Sequence, residues 1–289
     1  MVRRAAIGST LARRPLVVKL VSDEAFERAT RSGRYSGTLD QFQATGGVRT
    51  RVLRRTRTAA LRRARHVFCP SAYLRRVALA WGLDPARVSV LPNPAPDVPE
   101  LPPRDMLRAE LGFEGDTLVF AGRLGPQKSL GTALDALARV PDVALVVAGD
   151  GPERTALEQS SRELELAGRV RFLGSVSRDQ VLRLFRAADA SVLPSAWENF
   201  PHTVVEALSV GCPVIATAVG GVPEVVRDGD NGLLVPARDP AALAGAITRF
   251  FGDAELRARL AAAAAPSVAD SSEEAVFTAI EAELERASR

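Results

Sequence analysis

Only two cysteines occur in the chain, Cys69 and Cys212. Each follows an apolar segment and neither has metal-ligand spacing, so both read as buried thiols of a reducing cytoplasm. No apolar run reaches the length that crosses a bilayer. The stretch Ala5 to Ala12 follows two arginines in the manner of a leader peptide, but it is short and runs into Arg13 and Arg14, which argues against secretion. Lysine is nearly absent as well: of 38 cationic side chains, Lys19 and Lys128 alone are lysines. Aromatics make up 5% of the chain, and the most basic stretch, 47–65, has none, so it lacks the stacking platform that nucleic-acid binding uses. A glycine-rich strand-turn-helix at the start is missing too.

What remains is a folded composition, 46% apolar and 25% charged, long enough for one large core or two ordinary ones. The formal net charge of +4 conceals an asymmetry: residues 1–103 hold 19 Lys/Arg against 7 Asp/Glu, and residues 104–289 hold 19 against 27. The change of sign falls at LPNPAPDVPELPPRD (91–105), with six prolines in fifteen residues. That density prevents a helix or central strand and makes a semi-rigid linker. We divide the chain into a domain over 1–95, a linker over 96–105, a second domain over 106–268 and a C-terminal helix over 269–289 that packs back towards the first domain.

Beyond the linker, apolar runs alternate with helical patterns. The runs are TLVFAG (117–122), VALVVAGD (143–150), RVRFLG (169–174), ASVLPS (190–195), PVIATAVG (213–220) and GLLVPA (232–237). Continuous Val/Leu/Ala runs predict strands covered on both faces, and their order predicts a doubly wound parallel sheet of α/β class. Helices are expected over 129–140, 152–167 and 177–188. The first half offers only PLVVKLV (15–21), HVFCPS (66–71) and VSVLP (88–92), so its Rossmann-like sheet reads as incomplete. An amphipathic helix, capped by Ser271 or Ser272, is expected over 271–287.

In such sheets ligands sit at the carboxyl ends of strands. After the first run of the second half, GRLGPQK places Arg123 and Lys128 around a Gly-Pro turn before a helix. Two cations beside free helix amides make an anion site; the plain alternative is an exposed loop. After 190–195, SAWENFP offers Asn199 as a helix cap and Pro201 in the first turn, with Glu206 further along. Glu206 is suited to a vicinal diol such as a ribose, or else is a solvated helix carboxylate; Glu198 is alternatively a first-turn partner of the helix dipole.

Taken together, these stretches resemble the E-x7-E segment and flanking motifs of family 4 (group 1) retaining glycosyltransferases of GT-B fold. GRLGPQK is similar to that family's diphosphate loop, AGDGPER (148–154) to its second strand-turn, VRFLGSVSRDQV (170–181) to its base-binding turn and VGGVPEVVRDGDNGLLV (219–235) to its ending. The resemblance implies two Rossmann-like domains, the first one incomplete, and a nucleotide-sugar donor such as a UDP- or GDP-sugar. It assigns Arg123 and Lys128 to the donor diphosphate, Glu198 to the sugar and phosphates and Glu206 to the ribose. It also sets Gly122 against the diphosphate, the amides around Asn199, Phe200 and Pro201 against the sugar hydroxyls, and Val176 against the base. Arg123, Lys128 and Glu198 become the catalytic candidates, with front-face transfer, no cofactor and no metal. Asp228 and Asp230 in RDGDNG form a D-x-D that turn chemistry explains.

The family's acceptor-side histidine has no counterpart after 15–21, which leaves Lys19 and Asp23 as acceptor-side candidates. His66 reads as structural and His202 as solvent-facing. The family's first glycine-rich loop is also missing, so the gene reads as truncated or its start as misplaced. Residues 47–65 carry eight arginines with Val48, Val52, Leu53 and Leu61 on one expected helix. Such a helix suits an anionic membrane surface and a lipid-linked or cell-envelope glycan acceptor; the alternative is a solvated face. Two rival functions remain: a GT-B epimerase or phosphorylase, and a catalytically inactive nucleotide-sugar-binding partner protein.

Overall fold

The computed structural model describes residues 2–35, 37–44, 47–269 and 273–288. The chain divides into two compact units, Met1–Pro94 with Glu273–Arg289, and Ala95–Ser272. Residues 91–103 carry no regular secondary structure, as their prolines require, and the helix Arg104–Leu111 follows.

The first unit is built on a parallel sheet of three strands, β1 (Val17–Lys19), β2 (His66–Cys69) and β3 (Val88–Val90), in that order. Val18 lies opposite Val67, and Val67 opposite Val88. Phe68 and Leu91 pack with Val276 from the helix Glu273–Ser288, so that helix is part of this unit's core. The expected caps Ser271 and Ser272 lie outside the described residues. Phe26, Tyr35 and Phe42 meet edge to face, with centroids 5.1–6.0 Å apart. His66 is structural: its Nε2 lies 2.7 Å from Ser89 Oγ and its Nδ1 3.3 Å from the buried Glu283.

In the second unit six strands form one parallel sheet: β4 (Thr117–Ala121), β5 (Ala144–Ala148), β6 (Val170–Gly174), β7 (Ala190–Leu193), β8 (Val214–Thr217) and β9 (Gly232–Val235). Their spatial order is β6-β5-β4-β7-β8-β9. Alternation along each strand feeds two cores. Leu118 and Phe120 point to one side with Leu134, Leu243 and Ile247. Val119 and Ala121 point to the other with Phe185, Val204 and Leu208. That is why β4 is buried along its whole length, whereas the edge strand β6 exposes Arg171 and Leu173. The winding direction reverses between β4 and β7, which makes their carboxyl ends the topological switch point of the sheet.

Candidate active site

The loops at this switch point are braced by backbone. Gly122 closes β4 and donates its N–H to Ala148 O at 2.9 Å; Leu124 N reaches Asp150 O at 2.9 Å and Glu153 N reaches Leu124 O at 3.2 Å. The loop after β5 can press this close because Gly149 has no side chain: a Cβ there would stand 1.8 Å from Gly122 O, and its φ of +148° suits glycine. AGDGPER is thus a brace for GRLGPQK.

Lys128 and Glu198 come together across 70 residues of sequence. Lys128 Nζ donates to Glu198 Oε1 at 2.6 Å, and their side chains are only 16% and 5% exposed. Ser195 Oγ donates to the same oxygen at 2.8 Å, and Gln127 Nε2 reaches Oε2 at 3.4 Å and Trp197 O at 3.1 Å. The Glu198 backbone is held in turn: its carbonyl accepts from Gly221 N at 3.2 Å, and a Cβ on Gly220 would stand 1.6 Å from that oxygen. Burying both charges is tolerated because they are paired and because the carboxylate oxygens accept further hydrogen bonds from Ser195 and Gln127. Sequence reasoning missed Gln127, Ser195 and Gly220 as parts of the site, although all three lie within or beside the motifs that flagged it. Arg123, in the same loop as Lys128, is exposed, and among the described residues its guanidinium has no carboxylate partner.

The helix after β4, Leu130–Leu137, and the helix after β7, His202–Ser209, have no side-chain cap. The helix after β6, Arg178–Ala187, is closed by a Ser177–Gln180 capping box. The helix after β5, Arg154–Glu163, likewise has no side-chain cap, so among the described residues the α-helix starts of this sheet without a side-chain cap follow β4, β5 and β7. The expected cap at Asn199 is corrected: Pro201, at φ −89°, occupies the cap position, and the helix starts at His202. The reason is the bond from Gly221 to Glu198 together with Phe200, which packs on the core; the chain cannot turn into a helix until both are passed. Asn199 is half-buried in that bend and Pro201 is buried, while His202 is exposed with its ring 5.5 Å from that of Phe200.

Glu206 and Arg178 form a second polar contact. Glu206 pairs with Arg178 Nε at 3.4 Å, which ties the turn after β6 to the helix after β7. Val176 packs half-buried in that turn. Burial lifts the Glu206 carboxyl above its ordinary range, and Arg178 opposes the lift.

The acceptor-side candidates lie in the first unit. Asp23 is 1% exposed. It caps the helix Glu24–Arg31 through Ala25 N and Phe26 N, accepts from Gln43 Nε2 at 3.3 Å and is ion-paired with Arg57. Its carboxylate is consumed by the fold, which corrects its expected role. Lys19 is half-buried at the end of β1, and desolvation lowers its pKa. In the turn before β9, Asp228 accepts from Leu234 N at 2.9 Å and Asp230 pairs with Arg227. Each carboxylate of the D-x-D is thus used by the turn. Among the described residues no three His, Cys, Asp or Glu side chains gather.

A family model for glycosyl transferases group 1 matches residues 104–266, which is more than half of the chain. The chain belongs to this family. A relative, the D-inositol 3-phosphate glycosyltransferase of Mycolicibacterium vanbaalenii, is 38% identical over 183 residues, covering 57% of this chain and 40% of that protein. The chain therefore spans about 40% of the length of such curated relatives. The crystal structure of HepE from Anabaena in complex with UDP is 26% identical, with a TM-score of 0.84, and covers 99% of this chain and 76% of its own. The complex of HepE with UDP-glucose aligns to the same extent. The chain thus shares the GT-B type of fold with those structures, and its own two Rossmann-like sheets have three and six strands.

Proposed function

We propose that the protein is a metal-independent, retaining glycosyltransferase of family 4, drawing on a UDP- or GDP-sugar and serving a glycan or lipid-linked acceptor in cytoplasmic polysaccharide assembly. The observation that carries this is the Lys128–Glu198 pair at the β4/β7 switch point, with helix starts that lack side-chain caps after both strands and an exposed Arg123 in the Lys128 loop. HepE bound to UDP and UDP-glucose supports the donor class.

Arg123 and Lys128 take the charge of the departing diphosphate, and Gly122 admits it close to the backbone. The acceptor hydroxyl forms its bond to the anomeric carbon on the face from which the phosphate oxygen leaves, and that oxygen receives the hydroxyl proton. Glu198 positions Lys128 and the sugar. The amides around Asn199 and Phe200 meet sugar hydroxyls, the Val176 main chain meets the base, and Glu206 exchanges Arg178 for the ribose hydroxyls. Lys19 is the acceptor-side group.

The reading is tested with a panel of UDP- and GDP-sugars in a chelator, following nucleoside-diphosphate release and the anomeric configuration of the product. Turnover with a retained anomer is expected. An inverted product would overturn the mechanism, and binding without transfer would favour the inactive partner.

Glu206 separates function from stability. A carboxyl lifted by folding contributes stability below its ordinary range and loses it as pH rises through the lifted value. At neutral pH Glu206→Gln should therefore keep or raise the melting temperature, while UDP affinity falls by about tenfold. Arg178 is more than half exposed, so losing its partner costs little. A lower melting temperature with unchanged affinity would make Glu206 merely structural.

The helix Val48–Leu61 supports peripheral contact with anionic lipid. Val48 and Val52 are 66% and 52% exposed beside exposed Arg49, Arg51 and Arg55, whereas Leu61 and Arg57 turn into the core. Pelleting with anionic liposomes at low salt is expected; its absence would remove the membrane from the account.

A further inference from the structure

The first unit holds a cavity of about 620 Å³ at the amino-terminal end of its sheet, lined by Pro15 and Leu16 before β1, His66 opening β2 and Arg87 before β3. Ligands of the established kind sit at the opposite, carboxyl ends of such strands. Five arginines line this cavity, Arg14, Arg63, Arg65, Arg87 and Arg286, against one acidic residue, Glu283. Glu283 is already occupied by His66 at 3.3 Å and Arg286 at 3.0 Å. Among the described residues Arg65 reaches the Arg286 carbonyl at 3.4 Å and no carboxylate, and Arg87 reaches the exposed Asp84 at 3.5 Å. Arg14 and Arg63 have no carboxylate partner among the described residues.

Like charges gathered round one cavity repel unless an anion is held there. The planar fork of a guanidinium matches phosphate oxygens in pairs, and several forks call for an anion of more than one charge. The volume lies within the range of small-molecule sites. We propose that this cavity is a second, phosphate-binding site that takes a pyrophosphate or a phosphomonoester, either free or on a lipid headgroup.

The experiment is calorimetric titration of the full chain with inorganic pyrophosphate at about 150 mM salt, where diffuse attraction is largely screened. The Arg123→Ala/Lys128→Ala variant serves as the starting protein, so that the proposed donor site does not contribute. Binding is expected to persist in that variant. It should weaken at least about tenfold when Arg14→Ser, Arg63→Ser and Arg87→Ser are added. These three side chains are exposed, so the fold survives their loss, and circular dichroism verifies it. Vesicles containing phosphatidic acid, added as competitor, separate the sources: competition identifies a headgroup, and its absence a soluble ester. Pyrophosphate affinity equal with and without the three substitutions, or no binding in the Arg123→Ala/Lys128→Ala protein, would overturn the site. Neither result bears on the nucleotide-sugar reading, which stands or falls on the second unit.

Discussion

Alanine at Lys128 lowers kcat/KM by about 10²–10³-fold, the loss expected when one preorganised charge leaves a transition-state site. The ammonium is held before any donor arrives, 2.6 Å from the Glu198 carboxylate, whose side chain is only 5% exposed. Little reorganisation is needed when the diphosphate departs. The pair also makes the effect non-additive. Without Lys128, the Glu198 carboxylate is buried without its counter-charge and repels the incoming phosphates. Adding Glu198→Gln to Lys128→Ala should therefore recover several-fold of the lost rate, although Glu198→Gln alone lowers it. A double-mutant cycle in steady-state kinetics reads this coupling. Losses that simply add would mean that the two residues do not act as a unit.

The second large effect concerns stability. Asp23→Ala should destabilise the first unit by about 3–5 kcal/mol, the cost of leaving one member of a buried ion pair alone. Arg57 is buried, stacked 3.6 Å from the centroid of the Trp81 ring and paired with Asp23; Trp81 Nε1 bonds to Gln43 Oε1 at 2.9 Å, and Gln43 bonds to Asp23. Removing the carboxylate strands the guanidinium and uncaps a helix. Replacing both partners, as Asp23→Asn with Arg57→Met, should restore most of the loss, because no buried charge remains. Urea unfolding followed by Trp81 fluorescence in a Trp197→Phe background isolates this unit. A loss below about 1 kcal/mol for Asp23→Ala would show that the network is solvated and incidental.

The strands were plain in the sequence because burial on both faces demands continuous apolar runs; β4, β7 and β8 are buried from end to end. Arg123, Lys128 and Glu206 draw attention in the sequence because cations and carboxylates beside strand ends stand out in a chain with two lysines; that Lys128 meets Glu198 is seen only in the fold. What stayed hidden depends on long-range contact. Asp23 meets Gln43 and Arg57, 20 and 34 residues away, so a carboxylate after a strand looked available for chemistry. The Asn199 cap failed because local propensity is outweighed when Gly221, on another loop, fixes the Glu198 carbonyl. Gly220 carried its signal only as one letter of a motif; its reason is a backbone oxygen 1.6 Å from where a Cβ would stand.

The most direct measurement compares uridine and UDP binding by calorimetry in the wild-type chain and in Arg123→Ala/Lys128→Ala. If the two cations grip the diphosphate, UDP binds the wild type far more tightly than uridine does. The double substitution then removes about 10²-fold or more of UDP affinity and leaves uridine unchanged. UDP affinity that survives the loss of both cations would contradict the account at its centre.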